Sequence, residues 1–345
     1  MKPQGEIVPI SNAPASDFER DRLEYLVHAQ HFRASAGASI DDIAARARAP
    51  LSVILQVTRR CDLGCSFCSE SRDIPDPTLQ QLDHLRSQLV GTRRVFLSGG
   101  EPLLRNDFVD IVDMFRDFVI GVPTNGINGV EMAPALSGKV AFVNVGLEGP
   151  RNITKRVRGD FDRILRGVFA FREAGLPIAI CAVVLRSVAA GLPFTYQIAD
   201  TIGAVKIKLV HPIRKGRGAR LPEEEFLSLR ESEELFARLA GLRTTYGWRP
   251  ALRMTTWTPE TEGYSLLVYP DGTTWAWPYF GGDVAGPAQG GPPEKTLYLG
   301  NLHQMTIREI WDRYPFKVNH YRKYLGASVR TLPSAEELLP STRVA

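Results

Sequence analysis

Three things are scarce in this sequence of 345 residues: cysteine, excess charge of one sign, and long apolar stretches. Only four cysteines are present, too few for a disulfide-stabilised secreted domain. The net charge of +4 is too weak to predict a nucleic-acid-binding surface. No apolar run approaches the roughly 18 residues of a membrane span, and the N-terminus lacks the apolar segment of a signal peptide. We therefore expect a cytoplasmic protein with neither a membrane nor a nucleic-acid partner.

The cysteines are unevenly distributed, since Cys61, Cys65 and Cys68 form a C-x3-C-x2-C motif while Cys181 stands alone. In a reducing compartment, clustered thiolates indicate a metal site more often than a disulfide. Structural zinc needs four closed ligands, and the next histidine, His84, lies well past the motif. Three thiolates suit a cubane iron–sulfur cluster in which one iron has no protein ligand. The motif therefore predicts a cluster whose open iron can bind a further molecule.

Alternating strand and helix patterns follow from residue 51 and predict a parallel sheet with helices outside it. The predicted strands are 51–57, 93–98, 119–124, 139–147, 177–185 and 204–210, and the predicted helices are 78–89, 106–118, 130–136, 161–174, 194–202 and 222–242. Six units favour an α/β fold with a partial (β/α)6 TIM-like barrel, whose chemistry lies at the C-terminal strand ends.

The barrel pattern divides the chain into three predicted parts. Residues 1–50 form an N-terminal extension with a helix near Asp17–Arg33, residues 51–245 form the barrel, and residues 246–345 form a small α+β C-terminal region.

Strand alternation predicts a polar barrel lumen. Lys206 and Lys208 alternate with apolar residues, and burying them against helices would be costly, so both are expected to face the lumen with Glu148. Such a lumen favours an anionic substrate. The alternative, that the lysines extend out of the strand end into solvent, stays open.

The motif Cys61–Cys68, with Phe67 before its last cysteine, resembles that of radical S-adenosylmethionine (SAM) enzymes, and the resemblance covers roughly residues 50–245. It implies one [4Fe–4S] cluster held by Cys61, Cys65 and Cys68, with SAM chelating the fourth iron. Reductive cleavage of SAM would then yield a 5′-deoxyadenosyl radical that abstracts a substrate hydrogen. A flavodoxin- or ferredoxin-type protein is the implied electron donor.

Further motifs carry the same resemblance. Ser98–Pro102 resembles the GGE segment that receives the SAM amino group, 124–126 resembles a TNG segment, and 158–159 an RG pair. A departure occurs at VGLEG, where relatives often read SLDG. The implied cofactor-binding residues are Phe67, Ser98, Gly99, Gly100, Glu101, Pro102, Asn125, Arg158 and Val210.

The C-terminal region resembles a SPASM or twitch extension, but no cysteine follows Cys181, so no thiolate-bound auxiliary cluster can form. The lack of an auxiliary cluster favours a redox-neutral reaction. The resemblance to enzymes of antibiotic biosynthesis suggests a lyase similar to cytosylglucuronic acid decarboxylases, acting on a small anionic sugar or sugar nucleoside. The predicted catalytic residues are Lys206, Lys208, Glu148 and Cys181.

Three alternatives stay open. One is a peptide-modifying maturase, another is a radical epimerase with Cys181 as hydrogen donor, and the third is a non-catalytic iron–sulfur sensor. The sensor would not cleave SAM. A lone cysteine in an apolar strand is also commonly a small buried hydrophobe.

Overall fold

The computed structural model describes residues 23–26, 31–34, 39–70, 74–279 and 297–325. Near the N-terminus, β1 (Glu24–Leu26) and β2 (His31–Arg33) form an antiparallel pair. The predicted helix at Asp17–Arg33 is therefore wrong over these strands, and its other residues lie outside the described ranges. Tyr25 and Phe32 pair across the two strands and are almost fully buried, so tertiary packing outweighs local helix propensity here.

The barrel begins with six parallel strands that neighbour one another in chain order. They are β3 (Ser52–Thr58), β4 (Arg94–Gly99), β5 (Val119–Thr124), β6 (Phe142–Gly146), β7 (Ile178–Val183) and β8 (Lys206–Val210). The apolar residues of β3 and β8 that alternate with the polar ones, such as Val53 and Ile207, have no solvent exposure. These residues form the core between the sheet and the surrounding helices.

The sheet continues on both sides of the six predicted barrel strands. Strand β9 (Ala251–Thr255) pairs in parallel with β8, and β10 (Ser265–Val268) pairs in parallel with β3 on the other side. Antiparallel strands β11 (Thr273–Trp277) and β12 (Leu297–Asn301) then extend the sheet beyond β10. The predicted barrel stopped at the helix before β9, and β10 follows β9 without an intervening α-helix.

The sheet has the strand order β12-β11-β10-β3-β4-β5-β6-β7-β8-β9, so β9 and β12 are edges and no hydrogen-bonded ladder closes it. Trp257, just after β9, packs edge-on against Trp277 of β11 with ring centroids 5.0 Å apart. The α/β fold with an incomplete TIM-like barrel is therefore confirmed. Residues on both sides of the proposed boundary at 245 contribute to this one sheet.

Eleven α-helices lie in the described residues. They are α1 (Ile40–Arg46), α2 (Leu79–Gln88), α3 (Phe108–Met114), α4 (Gly129–Leu136), α5 (Arg151–Val157), α6 (Phe161–Glu173), α7 (Arg186–Ala189), α8 (Leu192–Thr201), α9 (Leu229–Tyr246), α10 (Ile307–Asp312) and α11 (Lys317–Tyr324). Helix α9 starts later than predicted because Ser228 and Glu231 form a capping box there. None of the described helices is long and apolar enough to cross a bilayer.

The C-terminal helix α11 covers the N-terminal end of the barrel. The backbone N–H of Ser52, at the start of β3, donates to the imidazole of His320 at 3.3 Å. The Tyr321 hydroxyl donates to the carbonyl of Ala49 at 3.0 Å. The lumen is consequently covered at this end by residues far away in sequence.

Candidate active site

The cysteine loop follows β3 directly, at the C-terminal end of the barrel, and two distant segments hold it. The backbone N–H of Ser66 donates to the carbonyl of Val157 at 2.9 Å. The Arg217 guanidinium donates to the carbonyl of Cys65, and its backbone N–H donates to that of Cys68, both at 2.8 Å. These bonds fix the loop backbone independently of any metal.

The three thiols fit an iron–sulfur cluster better than a single ion. Burial raises the pKa of Cys65 to about 11, and the nearby thiols of Cys68 and Cys61 raise it further. No group of three His, Cys, Asp or Glu side chains in the described ranges is arranged to hold one metal ion. A cubane is wider than an ion, so its ligands lie further apart, and iron supplies the positive charge that stabilises clustered thiolates. Cys61, Cys65 and Cys68 remain the predicted ligands.

An ion pair stands beside this loop. The guanidinium of Arg158 donates to both carboxylate oxygens of Glu148 at 2.6 Å, and its third nitrogen lies 3.9 Å from the Cys65 sulfur. Gly146 makes room for it, because a Cβ there would lie 2.3 Å from the guanidinium. The same guanidinium lies 5.3 Å from the ring of Phe67.

This geometry changes the expectation for Glu148. Its carboxylate has no solvent exposure and both oxygens are bound by Arg158. In this arrangement Glu148 positions Arg158, and a direct catalytic part for it stays an untested prediction. The part of Arg158 in holding SAM is likewise a prediction.

The two glycines of the GGE segment allow its backbone to pack closely against the backbone that follows β3. A Cβ on Gly100 would lie 2.3 Å from the carbonyl oxygen of Arg60, and one on Gly99 would lie 2.3 Å from that of Thr58. These contacts bring the end of β4 against the start of the cysteine loop.

Glu101 is a fully buried link between strand ends. One carboxylate oxygen accepts from the Thr124 hydroxyl at 2.7 Å and the Leu103 N–H at 3.0 Å, while the other accepts from the Asn125 N–H. Burial raises the pKa of Glu101 to about 7. No cation contributes to this shift among the described neighbours, so a ligand ammonium is chemically suited to it, but binding of SAM by Glu101 remains a prediction.

Asn125 binds Asp62, a residue of the cysteine loop that was not predicted to belong to the site. Its side-chain amide donates to the carboxylate of Asp62 at 2.7 Å. Asp62 lies between the first two cysteines, and this position was the only available signal. The contact ties the end of β5 to the cysteine loop.

The remaining predicted cofactor residues lie around the same end of the barrel. Ser98 is opposite Gln56 in the sheet, Pro102 starts a short 3-10 helix, and Val210 ends β8. Phe67 is almost fully buried. Their contacts with SAM stay predictions.

The lumen brings together Cys181, Lys206 and Lys208. Cys181 is the sheet partner of Lys208 on one side and of Gly146 on the other, and paired residues of neighbouring strands share a face. Ile207 and Leu209, on the opposite face of β8, have no solvent exposure. The lysines therefore share the face of Gly146, beside which Arg158 meets the cysteine loop.

The pKa values of two lumen side chains, Cys181 and Lys206, bear on the reaction. Burial raises the pKa of Cys181, which keeps its thiol protonated. Burial, followed by the charges of Lys208, Arg94 and Arg253, lowers the pKa of Lys206 to about 7. Arg94, which is buried, and Arg253, which is exposed on the edge strand β9, are cations with no signal in the sequence pattern.

Three basic side chains of the segment after β8 make contacts within the protein. Arg214 pairs with Glu223, Lys215 donates to the Tyr269 hydroxyl at 2.9 Å, and Arg217 binds the cysteine loop.

Comparison with known proteins agrees with this architecture. The Radical SAM superfamily profile matches residues 55–188. A GTP 3′,8-cyclase of Caulobacter vibrioides is 32% identical over 216 residues, covering 57% of this chain and 61% of the relative. A PqqA peptide cyclase of a Methylobacterium species is 30% identical over 220 residues, covering 56% of each. An Fe-coproporphyrin III synthase of Methanosarcina barkeri is 28% identical, covering 53% of this chain and 49% of the relative.

Solved structures share the fold at low sequence identity. Streptococcus suis SuiB bound to the precursor peptide SuiA has a TM-score of 0.62 and 14% identity, covering 78% of this chain and 66% of SuiB. The anSMEcpe protein with bound AdoMet has a TM-score of 0.60 and 18% identity, covering 79% of this chain and 82% of that protein.

This chain spans about half the length of the curated relatives it matches. The profile match, the cysteine loop at the end of β3 and the incomplete parallel barrel agree with one another. Enzymes of this superfamily use a [4Fe–4S] cluster and SAM, and they need a reductant. Residues 55–188 of this chain are therefore similar to a radical SAM superfamily domain.

Proposed function

We propose that this protein is an enzyme that cleaves SAM reductively and removes a hydrogen atom from an anionic small molecule held in the barrel lumen. The observation that carries the proposal is the shared face of β7 and β8: Cys181 and Lys208 are level with Gly146, beside which Arg158 approaches Cys65, and Lys206 lies on the same face nearer the start of β8.

Each group has a distinct part in the proposed reaction. When bound, the cluster and SAM supply a 5′-deoxyadenosyl radical that abstracts hydrogen. Arg158, oriented by Glu148, presents positive charge beside Cys65. The ammonium groups of Lys206 and Lys208 hold the substrate anion, and the barrel walls exclude bulk water from the reacting carbon.

The finer proposal is a sugar or sugar-nucleoside substrate that loses CO2, in natural-product biosynthesis. The net change, carboxylate plus proton to C–H plus CO2, is redox neutral, which suits a chain without cysteines for an auxiliary cluster. The name of the GTP 3′,8-cyclase relatives also specifies GTP, an anionic nucleotide, as the substrate of those proteins. An electron donor of the flavodoxin or ferredoxin type would reduce the cluster.

Two other outcomes each have a supporting observation. A peptide substrate is supported by the similarity to a PqqA peptide cyclase. Epimerisation is supported by the position of Cys181 in the lumen, where a protonated thiol can return a hydrogen atom to the substrate.

The test uses anaerobically reconstituted protein with SAM and dithionite. We expect about four irons per chain, and 5′-deoxyadenosine formation that Cys65→Ala abolishes. Absence of 5′-deoxyadenosine above the level of the cysteine variant would contradict the proposal. Addition of cytosylglucuronate tests the finer proposal through CO2 release, and a precursor peptide or deuterated solvent tests the two alternatives.

A further inference from the structure

The three nitrogens of the Arg158 guanidinium are directed at two different partners. Nε and Nη2 donate to the two carboxylate oxygens of Glu148, each at 2.6 Å. The remaining nitrogen, Nη1, lies 3.9 Å from the sulfur of Cys65, within hydrogen-bond reach of a sulfur acceptor. One part of this cation is therefore bound by a carboxylate, and the other part faces an atom that is predicted to bind iron.

Several contacts fix the position of the guanidinium. The bidentate pair with Glu148 sets its plane, because two parallel N–H···O bonds leave little freedom of rotation. The guanidinium also lies against the backbone of β6 at Gly146, where a Cβ would be 2.3 Å from it. The ring of Phe67, in the cysteine loop, lies 5.3 Å from it. The charge consequently stays beside the loop.

The backbone that carries Arg158 is joined to the same loop. Arg158 directly follows α5, and the carbonyl of Val157, the last residue of that helix, accepts from the Ser66 N–H at 2.9 Å. Ser66 is the residue after Cys65. A backbone bond and a side-chain contact therefore hold adjacent residues of the loop, which keeps the charge and the Cys65 sulfur at a constant separation.

Burial makes this charge effective over the short distance to Cys65. The side chain of Arg158 is 12% exposed and that of Glu148 is 0% exposed. Charges removed from water are screened less than charges at a surface, so they act more strongly on their neighbours. Glu148 offsets part of the charge from the edge that carries Nε and Nη2, while Nη1 presents the positive end of the pair to the cysteine.

An iron–sulfur cluster responds to such a neighbour through its reduction potential. That potential depends on the net charge around the cluster, on hydrogen bonds to its sulfurs and on its exposure to solvent. Reduction adds one electron, so a nearby positive charge stabilises the reduced form and raises the potential. Arg158 supplies both a positive charge and an N–H group directed at a cysteine sulfur.

We propose that Arg158 raises the reduction potential of the cluster predicted in the cysteine loop, and that Glu148 is a positioning residue that orients Arg158 and limits this rise. The inference rests on the proposed function only in taking the three cysteines of the loop to hold a cluster. It gives Arg158 a part in the uptake of an electron from the donor protein. That part comes before SAM cleavage and needs no contact between Arg158 and SAM.

The test is an anaerobic redox titration of the cluster-loaded protein without SAM, followed by electron paramagnetic resonance of the reduced cluster. Arg158→Met should lower the ratio of reduced to oxidised cluster at a fixed potential about 10-fold, a shift of about 59 mV for a one-electron couple. Glu148→Gln keeps the shape of the side chain but removes the opposing charge, so it should raise this ratio. Arg151→Met is the matched control, since Arg151 lies on the same helix α5 in an exposed pair with Asp162 and should leave the ratio unchanged.

A double variant, Glu148→Gln with Arg158→Met, keeps the test valid where Arg158→Met does not fold. It leaves neither a buried carboxylate nor a buried cation without its partner, which is the costly part of breaking a buried ion pair. Its ratio of reduced to oxidised cluster should lie below that of the wild type. Iron content and melting temperature are measured for every variant in the same samples.

A wild-type ratio in the variants that lack Arg158, or a lower ratio in Glu148→Gln, would overturn the inference. Weaker SAM binding by Arg158→Met at an unchanged SAM-free potential would also overturn it, because Arg158 would then act on SAM alone. SAM cleavage by the wild-type protein is measured separately. Protein that cleaves SAM but shows no shift in potential contradicts only this inference, whereas protein that shows the expected shifts but does not cleave SAM contradicts the proposed function.

Discussion

The cysteine loop and the barrel lumen differ in how their charged side chains are arranged. Around the cysteine loop, arginines are paired with carboxylates, as in Arg158 with Glu148, Arg60 with Asp76 at 2.7 Å, and Arg105 with Asp107 at 2.6 Å. In the lumen, Lys206 and Lys208 face further cations, and no described carboxylate pairs with them. Paired charges hold backbone segments in place, whereas the cations near Lys206 add to the effect of burial in lowering its pKa.

Removing a cluster ligand should give the largest effect. Cys65→Ala is expected to lose the [4Fe–4S] absorbance and all SAM cleavage, because two thiolates cannot retain the cubane. Iron analysis and 5′-deoxyadenosine assays measure this. Cys181→Ala is the matched control and should keep its iron, and iron loss from that variant would contradict the assignment of the ligands.

Breaking the buried ion pair should cost most in stability. Arg158→Gln leaves the fully buried Glu148 carboxylate without its partner, so we expect a loss of about 3–5 kcal/mol in the free energy of unfolding. Denaturant titration measures it. Arg151→Gln breaks an exposed pair with Asp162 and should cost about 0–1 kcal/mol. Equal losses from the two variants would remove the distinction between buried and exposed pairs at this end.

Loosening the clamp on the cysteine loop should have a smaller effect. Arg217→Met removes the side-chain hydrogen bond to the Cys65 carbonyl, worth about 1.5–3 kcal/mol, while the backbone bond to Cys68 remains. We expect cluster loss in air to be several-fold faster, followed by the decay of its absorbance. Arg220→Met, an exposed change in the same 3-10 helix (Gly216–Arg220), should decay like the wild type. Identical decay of Arg217→Met would show that the clamp is dispensable.

The smallest expected effect concerns pH. The pKa of Lys206 is about 7 in the folded protein against an ordinary value of 10.5, so the unfolded chain binds more protons between these values. Stability should therefore rise with pH from about 7 to 10.5. Lys206→Met should flatten this part of the profile and stabilise the protein at pH 7 by about 1 kcal/mol. Thermal unfolding across pH measures both, and an unchanged slope would mean that solvent in the lumen fully hydrates this lysine.

Sequence reasoning located the barrel strands well because strands and helices alternate regularly up to β8. It failed for Asp17–Arg33, where Tyr25 and Phe32 gain burial by pairing as strands. It also missed β9 and β10, since their pairing with β8 and β3 depends on long-range register. At the site, alternation placed Lys206 and Lys208 on the lumen face, but the binding of Glu148 by Arg158 has no local signal.

The sequence by itself predicted the iron–sulfur site at the cysteine loop. The three cysteines belong to one short C-x3-C-x2-C motif, and their spacing along the chain is enough to indicate a cluster. The lumen was decided only by the tertiary structure. Arg94, Lys206, Arg253 and Lys323 belong to four elements far apart in sequence, and only the register of parallel strands and the docking of α11 bring their charges together. Contacts between distant segments depend on the packing of the whole sheet, which no local pattern encodes.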